Sequence, residues 1–248
     1  MSGVLLVTGA SRGIGAATAL AGAARGYAVC VNYRSSAERA EAVVERVRGG
    51  GGRAIAVAAD VALEGEVVEL FARGDRELGS LPARVNNAGI IGGACRVDEV
   101  TGAQLTRLYA VNVIGPVLCA REAVRRMSTR HGGAGGAIVN VSSVSSWYGS
   151  PGAYVHYAAS KGAVDSLTIG LAKEVAGEGV RVNAVRPGLV DTEIHASIGM
   201  PDRVREQGPL RPMGRVGTPD EIAAGILWLL SDQASYVTGA LLDMPGAI

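Results

Sequence analysis

Cysteine is scarce in this chain, lysine is nearly absent and net charge is almost nil. The 248 residues hold three cysteines, Cys30, Cys95 and Cys119, far apart and without a C-x-x-C pair. A scattered, odd-numbered set neither staples a fold nor builds a zinc cluster, and it fits a reducing cytoplasm. The 24 basic residues are balanced by 23 acidic ones, leaving a formal charge of +1. That balance gives no electrostatic footprint for nucleic acid or an anionic membrane. The three histidines, His131, His156 and His195, lack metal-ligand spacing, so no metal is expected. Long apolar runs are missing too. Ile226-Leu227-Trp228-Leu229-Leu230 is far too short to cross a bilayer. Residues 1–9 are apolar but lack the basic flank of a signal peptide, so the expected location is cytoplasmic. Disorder is excluded by composition, with 48% hydrophobic and 19% charged residues.

What is present is a regular alternation. Short apolar runs at 4–7, 29–32, 53–58, 84–86, 137–141, 180–185 and 240–243 read as strands. Between them, 14–25, 35–48, 64–78, 101–127, 153–176 and 219–231 read as helices. Continuous apolar strands are those covered on both faces. The expected fold is α/β: a single-domain, doubly wound parallel sheet of about seven strands over residues 1–248, with helices on both faces. Residues 189–218 interrupt the pattern with Gly199, Pro201, Gly208, Pro209, Pro212, Gly214 and Gly217. A segment this long in a compact domain reads as a substrate loop or lid.

The first strand runs into Thr8-Gly9-Ala10-Ser11-Arg12-Gly13-Ile14-Gly15. Glycines at a strand-to-helix turn let backbone approach a pyrophosphate, and the helix N-terminus offers free N–H groups. The spacing is not G-x-G-x-x-G, and a ligand-free turn is the competing reading. The second strand ends Asn32-Tyr33-Arg34-Ser35, without the acid that binds a ribose 2′-hydroxyl in NAD readers. Arg34 and Arg12 suit a 2′-phosphate instead, pointing to NADP(H) over NAD(H), unless both are plain surface charges. Asp60 ends the third strand, where it could accept from an adenine amine or cap the next helix.

Only Lys161 and Lys173 are lysines. A compact ammonium serves tight sites where a planar guanidinium does not fit. Lys161 closes Tyr157-Ala158-Ala159-Ser160-Lys161, whose spacing puts phenol and ammonium on one helix face. A nearby ammonium favours phenolate, making Tyr157 a candidate proton donor or acceptor. Upstream, Ser143 follows a strand end, where a hydroxyl faces the ligand crevice of an open α/β sheet. Asn86-Asn87-Ala88-Gly89 ends another strand, with small and amide side chains that let a cofactor lie close. Asn112 is an expensive residue inside a helix unless it faces solvent.

These motifs occur in one order along nearly the whole chain: Thr8-Gly9-x-x-x-Gly13-Ile14-Gly15, Asn86-Asn87-Ala88-Gly89, Asn112, Ser143, Tyr157-x-x-x-Lys161 and Pro187-Gly188. Together they resemble the short-chain dehydrogenase/reductase family, in particular its 3-oxoacyl-[acyl-carrier-protein] reductase and glucose-dehydrogenase-like members. The resemblance implies a Rossmann-type fold and a catalytic tetrad of Asn112, Ser143, Tyr157 and Lys161. Tyr157 would exchange the proton and Ser143 orient the oxygen. Lys161 would hold the nicotinamide ribose and lower the Tyr157 pKa, and Asn112 would support a water-linked relay. The dinucleotide would lie on Gly9, Ser11, Arg12, Gly13, Ile14, Gly15, Tyr33, Arg34, Ser35, Asp60, Val61, Asn87, Ala88, Gly89, Tyr157, Lys161, Pro187, Gly188, Val190 and Thr192. The substrate would be a small carbonyl or alcohol, free or on acyl carrier protein, and the assembly a homotetramer or homodimer. An NAD(H)-dependent sugar or secondary-alcohol dehydrogenase and a non-catalytic dinucleotide sensor are the alternatives. Two departures stand out. The segment between serine and tyrosine is one residue longer than is usual, which brings Ser142 and Val144 into question beside Ser143. Arg84 occupies a position that is usually apolar.

Overall fold

The strand Val4–Val7 buries all four of its side chains. Leu5 and Val7 enter one apolar cluster, while Val4 and Leu6 enter another on the opposite face. The computed structural model, which describes residues 3–247, repeats this arrangement across a sheet of seven parallel strands. They are β1 (Val4–Val7), β2 (Ala28–Tyr33), β3 (Ala54–Ala58), β4 (Ala83–Asn86), β5 (Gly136–Val141), β6 (Val180–Pro187) and β7 (Leu241–Met244). Their order is β3-β2-β1-β4-β5-β6-β7. The helices are α1 (Gly13–Ala24), α2 (Ala37–Gly49), α3 (Glu64–Leu78), α4 (Gly102–Tyr109), α5 (Gly115–Met127), α6 (Ser145–Tyr148), α7 (Val155–Val175), α8 (Arg203–Gln207) and α9 (Pro219–Leu230). One face is covered by α1, α2 and α9 through residues such as Val44 and Ile226. The other is covered by α3, α5 and α7 through residues such as Phe71, Cys119 and Val175. Each fully buried Leu in these layers contributes about 1.5–3 kcal/mol. This is the doubly wound α/β fold that the alternation implies.

β1 pairs with β2 on one side and β4 on the other, so the winding reverses there. Chains leaving β1 and β4 diverge at their carboxyl ends and open a crevice.

Two expectations need correction. The helix expected over 101–127 contains a π-helical turn, Ala110–Ile114, between α4 and α5. A widened turn accommodates the buried amide of Asn112, which hydrogen bonds across to Ile90 and Ser160. The segment 189–218 is irregular but not structureless. It carries the turns Ala196–Ile198 and Gly208–Leu210 around α8, and its ends meet where Val190 bridges Gly217.

One charge lies inside the apolar layer. Arg84 on β4 is 0% exposed, with its guanidinium 5.0 Å above the Phe71 ring. It donates to Asn86 Oδ1 from Nε at 3.1 Å and from Nη2 at 2.7 Å. Asn86 donates to Asn140 Oδ1 at 2.8 Å, and Asn140 donates to Thr168 Oγ1 at 2.9 Å. Arg84 Nη1 has no hydrogen-bond partner among the described residues. Burial lowers the guanidinium pKa and pushes the Cys30 thiol up to about 12.

Candidate active site

The crevice begins at the glycine turn. Gly9 and Gly13 have φ of +61° and +55°, a conformation that side chains strain. A Cβ on Gly15 would lie 2.5 Å from Asn87 Nδ2 and from Gly9 O, so α1 can pack here only through glycine. The first turn of α1 has no side-chain cap and no acid, which leaves its N–H groups for an anion. Thr8 Oγ1 accepts from the backbone of Asn87 and Ala88, and Asn87 Nδ2 donates to the carbonyls of Thr8 and Gly9. The turn after β1 and the loop after β4 are thereby locked into one cradle. These residues fit a bound dinucleotide phosphate on geometry alone.

At the adenine end, a cavity of about 240 Å³ is lined by Gly9, Ser11, Arg12, Gly13, Ile14, Tyr33, Arg34, Ser35, Asp60, Val61, Asn87, Ala88, Gly89 and Thr192. Asp60 does not cap α3, whose N-cap position is Leu63. Its carboxylate accepts from Ala62 N–H at 3.0 Å and from Arg107 at 2.7 Å. Burial alone raises the Asp60 pKa, but these two hydrogen bonds outweigh it and hold the carboxyl below its usual value. Arg107 is a partner that sequence reasoning missed, for nothing in the chain marks a pair 47 positions apart. Asn86, offered with Asn87 as a residue beside the cofactor, instead points into the interior network of Arg84 and Asn140.

The reactive end is a cavity of about 340 Å³ whose wall includes Ser143, Tyr157, Lys161, Pro187, Gly188, Val190 and Thr192. A Cβ on Gly188 would lie 2.7 Å from Pro245 O, so the chain after β6 runs tight against the chain after β7. Ser143 Oγ accepts from Ser145 N–H at 3.1 Å and hydrogen bonds to Tyr157. Ser142 is committed elsewhere, donating to Lys161 O at 3.2 Å. Between the two serines, the geometry therefore puts Ser143 beside the phenol. Lys161 Nζ donates to Val141 O at 2.8 Å and lies 5.7 Å from the Tyr157 ring centroid. Asn112 holds Ile90 by two hydrogen bonds and donates to Ser160 Oγ at 3.0 Å, so both amide protons are spent. It is buried, not on a solvated helix face.

The electrostatics differ from the expectation. Burial pushes the Tyr157 phenol up to about 12, and the Ser143 hydrogen bond offsets only part of this. Burial also pushes the Lys161 ammonium down to about 8, against the pull of Asp165. Lys161 is not among the groups that shift Tyr157; desolvation, which acts on the phenolate directly, dominates. At neutral pH Tyr157 is a neutral O–H, ready to give a proton.

The wall also holds residues that sequence reasoning did not name, among them Ile91 from the loop after β4, and Ile194 and Gln207 from the segment 189–218. Tyr148, Tyr154 and His195 line it; Trp147 is 53% exposed and does not. His156 is buried with Nε2 on Gly93 O at 3.2 Å, a packing role. Among the described residues, no helix is long and apolar enough to cross a membrane.

Comparisons with known proteins agree with this geometry. A family model described as "Enoyl-(Acyl carrier protein) reductase" matches residues 9–246. The "Uncharacterized oxidoreductase YgfF" of Escherichia coli (strain K12) is 52% identical over 243 residues, 98% of this chain and 98% of its own. A 3-oxoacyl-[acyl-carrier-protein] reductase of Synechocystis sp. is 38% identical over 249 residues, 99% of this chain and 96% of its own. A short chain dehydrogenase from Burkholderia cenocepacia J2315, solved in complex with NADP, superposes with a TM-score of 0.89 at 33% identity, covering 98% of this chain and 96% of that one. With likeness from end to end and one crevice holding the glycine turn, Ser143, Tyr157 and Lys161, the chain belongs to the short-chain dehydrogenase/reductase family of oxidoreductases.

Proposed function

We propose that the chain is an NADP(H)-dependent carbonyl reductase that works through Ser143, Tyr157 and Lys161, with 3-oxoacyl thioesters among its candidate substrates. The observation that carries this reading is a buried, neutral phenol hydrogen bonded to a serine hydroxyl, in a cavity that shares Ile14, Asn87, Gly89 and Thr192 with the one formed by the glycine cradle. A bound nicotinamide supplies the hydride. Tyr157 Oη donates its proton to the carbonyl oxygen. Ser143 Oγ accepts from Ser145 N–H, which fixes the hydroxyl beside Tyr157 so that its proton can turn from the phenol to that oxygen. Lys161 uses one proton on Val141 O and keeps the others for the coenzyme ribose. Asn112 acts as a positioning residue, fixing Ile90 and Ser160 behind the site. The segment 189–218 forms part of the cavity wall and acts as the substrate lid.

The choice of coenzyme rests on Arg12 and Arg34. Both line the adenine end, and neither makes an ion pair or hydrogen bond with a described side chain, while Asp60 is occupied by Arg107. Replacing both arginines by Ala is expected to raise the KM for NADPH by about 10- to 100-fold, the worth of a charge-assisted contact. The KM for NADH should move far less. Equal changes for the two coenzymes would defeat the NADP(H) assignment. A panel of acetoacetyl thioesters, ketones, quinones and sugars with each coenzyme tests the reaction itself, and turnover of sugars with NADH alone would favour the dehydrogenase alternative.

The pH dependence follows from Lys161. Its pKa of about 8 lies below the usual value, so the ammonium is present below that pH and lost above it. The kcat/KM for reduction should therefore fall as pH rises through about 8, while Tyr157, at about 12, keeps its proton. A flat profile from about pH 6 to about pH 10 would remove the ammonium from the mechanism. Exposed apolar side chains along α5 and α7, such as Ile114 just before α5, Val117 and Ile169, support the proposed self-association. Light scattering at the assay concentration tests for a tetramer or dimer.

A further inference from the structure

The wall of the reactive cavity carries Lys161, Arg203 and Arg211, yet no Asp or Glu among its described lining residues. The imbalance is specific to this cavity. Elsewhere on the same segment Arg205 pairs with Asp202 at 2.9 Å and Arg215 with Glu221 at 2.6 Å. Arg203 and Arg211 make no ion pair with any described carboxylate. Arg203 donates from Nη2 to Tyr154 Oη at 3.1 Å, and its guanidinium sits 5.7 Å from the Tyr154 ring centroid. Its Nε is buried with no partner among the described residues. Arg211 is held only by Gln207, donating to Oε1 at 2.9 Å and to the backbone carbonyl at 3.3 Å. A half-buried guanidinium with unspent donors and no counter-charge is costly, and the cost falls when an oxyanion completes it.

We infer that the cavity takes a carbonyl substrate carrying an oxyanion, a carboxylate or a phosphate monoester, bound by Arg203 and Arg211; the inference rests on the reductase reading above and names its substrate class. Arg203 is tied to the reacting group through Tyr154, which accepts its Nη2 hydrogen bond at 3.1 Å and stands edge-on to Tyr157 with ring centroids 5.7 Å apart. A series of 2-oxo, 4-oxo and 6-oxo acids reads out how far the oxyanion stands from the reacting carbonyl. The lid arginines are separate from Arg12 and Arg34, which line the adenine end, so they are not the pair facing a coenzyme 2′-phosphate. His195 also lines the cavity, with a buried Nδ1 that has no hydrogen-bond partner among the described residues. Burial, helped by the charge of Arg203, pushes its pKa down to about 4. At neutral pH it adds a hydrogen-bonding group and no third lid charge.

The test measures kcat/KM with NADPH for a 2-oxo, a 4-oxo and a 6-oxo carboxylate, their methyl esters, and a phosphate monoester of a hydroxyketone. The expected result is that at least one of the acids or the phosphate exceeds the neutral esters by about 10- to 100-fold. The arm that wins identifies the oxyanion. In Arg203→Met and Arg211→Met the ratio of anion to ester should collapse towards one, whereas in Arg205→Met, outside the cavity, it should hold. Quenching of protein fluorescence by NADPH verifies that each variant is folded. Parity between acids and esters in the wild type, or a ratio unchanged in both cavity variants, overturns the inference and leaves the reductase reading standing. No reduction of any of these compounds, with NADPH bound, overturns this inference; the reductase reading falls with it only if the thioesters, ketones, quinones and sugars are not turned over either.

Discussion

Phenylalanine at position 157 is expected to abolish most reductase activity while leaving NADPH bound. The phenol lies with Ser143 in the reactive cavity and hydrogen bonds to it, and losing a positioned general acid costs about 10²- to 10⁴-fold in rate. That corresponds to about 3–5 kcal/mol of transition-state stabilisation. Only one oxygen atom is removed, so the T-shaped contact with Tyr154 at 5.7 Å survives and folding should be unaffected. Stopped-flow measurement of NADPH oxidation gives the rate, and fluorescence quenching gives the binding. A variant with full rate would displace Tyr157 from the mechanism. A wild type that binds NADPH and turns over none of the panel would point to the non-catalytic sensor instead.

Ala in place of Asn86 is expected to destabilise the fold more than removing the charge that Asn86 serves. The Asn86 carbonyl oxygen accepts both hydrogen bonds made by the buried Arg84 guanidinium. Without it, a cation at 0% exposure keeps only its contact with the Phe71 ring. Stranding a buried charge in this way costs about 3 kcal/mol, or roughly 6–12 °C in melting temperature for a chain of this size. Arg84→Met removes the cation together with its desolvation cost, and apolar replacements of buried charges are often neutral or stabilising. Urea unfolding of the two variants checks the ordering. If Arg84→Met were the more damaging change, the guanidinium would be a net stabiliser through its packing on Phe71.

Much of the site was legible because its signals are local. Tyr157 and Lys161 are four residues apart, and a helix brings that spacing to one face whatever surrounds it. Gly9, Gly13 and Gly15 mark a turn by their shared lack of a side chain. Asn112 betrayed itself as a polar residue in a helix interior, though only the fold reveals the π turn and the burial behind it. The links between distant segments were not legible. Thr8 with Asn87, Asp60 with Arg107 and Asn112 with Ser160 are each set by how loops from different strands meet. The pKa expectation for Tyr157 failed for the same reason. Sequence spacing gives the neighbouring charge, but desolvation depends on everything that covers the group, including the segment 189–218.

The amino-acid order alone determined the alternation of strand and helix, the parallel sheet and the phenol and ammonium that share a helix face, because periodicity and short spacings act within a few residues. The tertiary structure alone decided that Tyr157 is a buried phenol whose pKa is raised, that Arg84 is a buried cation held by Asn86, and that two arginines face a cavity whose described lining has no carboxylate. Burial and the pairing of charges depend on which surfaces exclude water together, and those surfaces come from parts of the chain that lie far apart in sequence.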